Sequence, residues 1–282
     1  MEEVVNKTFD SERALYESNS LLVRDCRFCG EADGESALKE SKDIKAEGCF
    51  FDLRYPFWHD ENVEILNCKM TECCRAPLWY TKNVAIKGCE INGTKAIREC
   101  EGVSVDECRI VSDELGWDTL GIKINNTYAK GAYMMSRAKD IDAVGLEMEG
   151  KYSFQYIENA TFDGCTFNTK DAFWHAKNVR VKNSVIKGEY LGWYSQGLTL
   201  ENCTIEGTQP LCYCKDLTLI NCKMYGCDLA FEKSCVNAEI TTPVISIKNV
   251  LSGAVSVPDV DRVIKDKDIY MGEIKVLSKE CN

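Results

Sequence analysis

A repeat governs this chain. Cysteine, or a residue in its place, recurs at Cys26, Cys49, Cys68, Cys89, Cys108, Thr127, Leu146, Cys165, Ser184, Cys203, Cys222, Thr241 and Val260. The steps are 23, 19 and 21 residues, and then 19 throughout. Call these thirteen residues position zero. Positions −5 and −3 are apolar in every repeat, as in Leu21 and Val23, Val63 and Ile65, or Leu198 and Leu200. The residue between them is polar in eleven of the thirteen, so each repeat carries a strand with one buried face. Position +2 is mostly Phe, Met or Ile, a second short strand with its own inward side chain. Asn, Gly and Asp gather at −1, −6 and −15; they tolerate left-handed backbone and mark corners.

Three corners per repeat make a triangular coil, and successive coils pair as parallel strands roughly 4.8 Å apart. The expected fold is all-β: a right-handed parallel β-helix of about 13 coils. A 19-residue period is no multiple of six, which disfavours the left-handed hexapeptide form. Open coils need covers. Residues 1–20 read as an N-terminal cap with a short helix over 10–17, started by Asp10 or Ser11. Residues 21–260 are the helix proper, and 261–282 a C-terminal cap, all one domain.

Composition bounds the partners. The net charge of −11 argues against nucleic acid and anionic membranes. No stretch approaches a spanning length, and the N-terminus has no apolar core, so a cytoplasmic location is expected. Seventeen cysteines in a reducing compartment are free thiols. Those at position zero read as an inward stack. Cys26-Arg-Phe-Cys29 is a lone CxxC, too little for zinc, so no metal and no cofactor are expected.

One register is not explained by the coil. Trp58, Trp79, Trp117, Trp174 and Trp193, all the tryptophans, fall at −10. Blind placement does this about once in 10⁵ trials. Both histidines, His59 and His175, fall at −9 with Tyr80, Tyr156, Tyr194, Tyr213 and Glu232. Position −13 holds Tyr55, Asp171, Tyr190, Gln209 and Asp228. Position −11 (Phe57, Leu78, Phe173, Leu211) is the better buried row, which turns the tryptophans outward unless Pro56, Pro77 or Pro210 spoils the parity. Residues 151–233 are richest, so the candidate ligand-binding set is Lys170, Trp174, Tyr190, Trp193, Tyr194, Gln209, Tyr213, Asp228 and Glu232. Asp171 and Glu189, on adjacent coils, are spaced for paired-carboxyl glycoside chemistry, with His175 as a proton carrier. A plain Lys170–Glu189 ion pair competes with that reading.

The segments TKDAFWHAKNV (169–179), GEYLGWYS (188–195), GTQPLCYC (207–214) and DLAFEKS (228–234) give the chain a specific likeness. It resembles the bacterial family DUF3737, pectin-lyase-like in fold, across nearly its whole length. The resemblance implies a right-handed β-helix, no established activity, and family motifs that include Lys170, Asp171, Trp174, His175, Glu189, Tyr190, Trp193, Gln209, Asp228 and Glu232. Two functions follow. The first is carbohydrate binding or action along the aromatic stripe; an enzyme here would be an oligosaccharide or polysaccharide lyase or hydrolase. The second is a non-catalytic scaffold whose stripe is a homo-oligomer interface.

Overall fold

The alternation at −5 and −3 becomes the longest strand of each coil. Ile44 pairs with Val63, Val63 with Val84, and Val84 with Val103, all in parallel. Their inward side chains are buried, and each contributes roughly 1.5–3 kcal/mol. The computed structural model describes residues 2–266 and 272–277. It shows an all-β parallel β-solenoid of about 14 turns, of the right-handed β-helix class. Two compact units divide it, Met1–Glu147 and Met148–Asn282.

In the first unit the extra turn precedes the repeat. Strands Glu2–Val5 and Thr8–Phe9 pair with Asn19–Arg24 and Arg27–Phe28. Lys7 stands at position zero there, with its N–H on Cys26 Sγ at 3.4 Å. A lysine in the cysteine column hid this coil from the pattern. The capping helix expected over 10–17 is absent; these residues are turns. The reason is hydrogen bonding. Arg13, Leu15 and Glu17 donate their N–H groups to Glu35, Ala37 and Lys39 of the next coil, at 2.9, 2.8 and 3.1 Å. A helix would have kept those donors for itself.

Position zero accepts Cys, Ser or Thr for a shared reason. The N–H of Cys49 donates to Cys68 Sγ (3.4 Å), that of Cys68 to Cys89 Sγ (3.3 Å), and that of Cys108 to Thr127 Oγ1 (3.2 Å). Cys165 does the same with Ser184 Oγ at 2.9 Å in the second unit. Each sulfur also faces a backbone carbonyl, as Cys49 does with Glu47 at 3.4 Å. Where Cys, Ser or Thr stands in the column, a small side chain both donates and accepts; Lys7, Leu146 and Ile240 stand outside that rule. The described cysteines are free thiols. Burial pushes Cys100, Cys212 and Cys227 up to about 12, so they are unreactive.

Asparagine ladders edge the coils. Asn83 donates to Asn62 (3.1 Å), Asn62 to Asp43 (2.9 Å), and Asn221 to Asn202 (2.8 Å). All five stand at corners with positive φ, as the Asn/Gly/Asp pattern predicts.

In the second unit the repeat holds from Ala160 to Thr218 and then slips. Cys222 pairs with Ile240, not Thr241, through an irregularity after Leu219. Ala238 pairs with Val255, and Val260 begins a strand that pairs with Val244–Lys248. The expected 19-residue steps to Thr241 and Val260 are therefore wrong. A two-residue slip keeps in–out parity, so apolar alternation alone cannot detect it. The expected C-terminal cap also contains a strand, Glu273–Val276, paired with Ser252–Val257.

Candidate functional site

Position −11 is buried in both units, as Phe57, Leu78, Ile97, Phe154, Phe173 and Leu211 show. The tryptophans beside it are half-buried and point outward, as alternation requires. In the second unit, −11 and −9 both have positive φ (Phe173 61°, His175 54°), which sets Trp174 at the apex of a turn. Gly192 takes the −11 place before Trp193, where a Cβ would lie 2.8 Å from Leu211.

This turn stacks the rings of successive coils. Trp174 and Trp193 lie 5.5 Å apart and 4° from parallel. Beside them runs a column of Tyr156, His175, Tyr194 and Tyr213, with centroids 4.9, 5.0 and 4.8 Å apart. Tyr190 and Tyr213 stand edge-on to Trp193, at 5.3 and 5.4 Å. The ring faces are thus spent on one another. Edges and phenol groups reach solvent, with Tyr156 and Tyr194 exposed. Each indole N–H braces the next coil: Trp174 donates to the Tyr190 carbonyl (2.7 Å) and Trp193 to that of Gln209 (2.8 Å).

The charged candidates flank this column. Lys170 Nζ is 2.7 Å from Glu189 and 5.1 Å from the Tyr190 ring centre. Asp171 is buried, its N–H on the Glu189 carbonyl at 2.9 Å, and burial raises its carboxyl pKa above the ordinary range. Asp171 is thus placed to hold a proton, while Glu189 is held by a cation. His175 is sandwiched between tyrosines rather than aimed at either acid.

The last coil of the set is offset by one residue. Cys214 bonds Ser234, twenty residues on, and Tyr213 N–H donates to the Glu232 carbonyl at 2.7 Å. His175 makes that bond to Trp193, so Glu232 belongs to the tryptophan column, not to the −9 column. Phe231 falls instead in the buried row. Asp228 likewise stands beside Thr208, whose hydroxyl it accepts, and Gln209 N–H donates to its carbonyl at 3.0 Å. Glu232 pairs with Lys248 at 2.9 Å, a partner that no 19-residue count would find.

The first unit holds a related cluster and two features the motifs did not signal. Lys39, Trp58, Trp79, Arg98 and Trp117 share the −10 column. Trp58 and Trp79 stack at 5.5 Å, Lys39 lies 4.5 Å over Trp58, and Arg98 lies 5.4 Å from Trp117. Asp60, at inward position −8, is buried; Ser41 N–H donates to its Oδ1 at 2.8 Å, and Oδ2 has no partner among the described residues. Burial pushes its carboxyl up to about 8. Only its sequence position among Ser41 and Thr81, small polar residues, hinted at this. A trough of about 640 Å³ also lies at the position-zero corner, lined by Glu90, Glu107, Arg109, Tyr128 and Glu147 among others; no predicted site residue lines it. Among the described residues no group of three or more His, Cys, Asp and Glu is arranged for a metal. No helix there is long and apolar enough to cross a membrane.

No curated protein matches the chain. The solved structures it resembles include the surface adhesin PfbA of Streptococcus pneumoniae, at 9% identity and a TM-score of 0.35, covering 98% of this chain and 84% of that one. A Yersinia enterocolitica family 28 exopolygalacturonase is similar at 10% identity and 0.34, covering 97% and 71%. The model of the family described as "Protein of unknown function (DUF3737)" matches residues 2–276, and the chain belongs to that family.

Proposed function

We propose that the aromatic side of the second unit binds an oligosaccharide laid along the coil axis, one sugar unit per coil. The observation that carries this reading is the Tyr156–His175–Tyr194–Tyr213 column, whose rings recur every 4.8–5.0 Å. A periodic wall suits a periodic ligand. Its ring edges and phenol hydroxyls meet sugar hydroxyls, and the Lys170–Glu189 pair offers both a donor and an acceptor beside them. Binding suits this geometry better than catalysis. Glu189 and Glu232 are held by lysines, and Asp171 is only 5% exposed, so no free carboxyl pair faces solvent. Were chemistry to occur, Asp171 as proton donor and Glu189 as base would carry it, with His175 adjacent.

The test is oligosaccharide titration of Tyr156→Ala with Tyr194→Ala. These side chains are exposed and their loss spares the indole braces. Loss of binding with an unchanged fold supports the reading; unchanged binding sinks it. Replacing Trp174 and Trp193 is a poorer test, because both hold the next coil.

A second reading is favoured by the closed ring faces. Sugars stack on faces, whereas edges and hydroxyls of exposed tyrosines also suit a protein interface. In that case the wild-type protein sediments as an oligomer and the tyrosine double variant as a monomer.

A further inference from the structure

Three of the five indoles find an acceptor. Trp117, Trp174 and Trp193 each donate to the backbone carbonyl sixteen residues on, at 2.6, 2.7 and 2.8 Å. All three stand in turns whose −11 residue (Gly116, Phe173, Gly192) has positive φ. Trp58 and Trp79 are built differently. They follow Pro56 and Pro77 and lie on short paired strands, Phe57–Trp58 and Leu78–Trp79. Phe57 and Leu78, their −11 residues, lack the positive φ of the other three, so the turn does not form there. The coil after Trp58 also carries two extra residues and the 3₁₀ turn Glu72–Cys74. Both indole nitrogens are fully buried, and neither has a partner at full hydrogen-bonding geometry among the described residues, the Tyr80 hydroxyl being the acceptor beside Trp79.

Arg54 Nε is also buried without a partner, next in sequence to Tyr55. The Tyr55 ring lies 5.9 Å from Trp58 and 6.0 Å from Trp79, inclined to both. Lys39 covers Trp58, and the Arg98 backbone pairs with that of Trp79 from the next coil; the cations are themselves paired, Lys39 with Glu40, Arg54 with Asp33 and Glu35, and Arg98 with Glu99 and Glu114. A buried donor left unpaired costs roughly 1–3 kcal/mol, so two on adjacent coils call for an acceptor.

We propose that Trp58 and Trp79 form a two-donor site for a small oxyanion, a carboxylate or phosphate oxygen, beneath the Tyr55 ring. Stacked rings one coil apart present side-by-side N–H groups that two oxygens of one carboxylate or phosphate can take. Tyr55 is half-buried, and rotation of its side chain opens the entrance. This site is separate from the oligosaccharide surface, and either stands without the other.

The five indole N–H resonances test it in one spectrum of the ¹⁵N-labelled full chain. Inorganic phosphate is titrated against sodium chloride at matched ionic strength. The Trp58 and Trp79 signals are expected to shift saturably with phosphate, while those of Trp117, Trp174 and Trp193 stay in place as built-in controls. Trp58→Phe is expected to weaken the Trp79 response about tenfold, the effect of one donor to a charged acceptor. Tyr55→Ala is expected to keep or strengthen the response. The proposal is overturned if all five signals drift alike with ionic strength, or if the pair never moves. The latter result would assign the two N–H groups to the Tyr55 ring face or to water.

Discussion

The Trp58–Trp79 pair of the first unit and the Trp174–Trp193 pair of the second share a register, a ring spacing of 5.5 Å and near-parallel planes. They differ in backbone and in bonding. The second pair sits in turns and ties each coil to the next through its N–H groups; the first sits on strands after prolines and ties nothing. Stacking contributes to stability in both, but only the second pair adds a directional bond. Identical residue types at identical spacing therefore do unequal structural work, because one residue earlier the backbone turns or does not.

The largest contrast should come from truncation. Trp193→Ala removes ring stack and brace together and is expected to cost about 3–5 kcal/mol in urea unfolding of the second unit. A smaller loss would mean that the column is ornamental to the fold. Asp60 comes next. Its folded pKa of about 8 lies above the unfolded value near 3.9. The folded state then holds the extra proton, so stability falls as pH rises from about 4 to about 8 and stays low above it. Asp60→Asn should flatten that decline and stabilise the protein at pH 9 relative to pH 4 by about 5 kcal/mol. A wild-type stability profile without that slope would refute the assignment.

Tyr194→Ala breaks three ring contacts, with His175, Trp193 and Tyr213, and is expected to cost about 2 kcal/mol. The sharpest comparison is smaller. Trp193→Phe keeps a ring but abandons the Gln209 carbonyl, at about 1 kcal/mol, whereas Trp79→Phe removes an unpaired donor and should be neutral or stabilising. Equal costs at the two sites, measured in the same denaturant series, would erase the distinction between the pairs. Least of all, Lys170→Ala breaks an exposed ion pair and should change stability by about 0.2–1 kcal/mol, less at high salt.

Much of the fold was legible because a solenoid repeats its constraints. The −5 and −3 alternation, the corner asparagines and the cysteine column recur coil after coil, and a rule tested thirteen times is hard to misread. Legibility failed where one coil broke the count. Lys7 broke it at the start. At the end, one extra residue between Tyr225 and Asp228 moved Asp228, Phe231 and Glu232 by one place, and the irregularity after Leu219 moved Ile240 into position zero. The stripe was found by register; its outward direction followed from alternation only on condition that Pro56, Pro77 and Pro210 kept the parity, and the backbone decided that. That its faces are closed was not legible, since ring planes are set by side-chain packing between coils.

The sequence by itself determined the period, the buried rows, the corners and the alignment of all five tryptophans, because each follows from local chemistry at a fixed interval. Tertiary structure alone decided which indoles find a carbonyl, which acids meet a lysine, and that Asp60 lies buried with an unpaired oxygen. Those outcomes turn on where a neighbouring coil places its backbone, and a shift of one residue or one φ angle there changes the partner without changing the pattern.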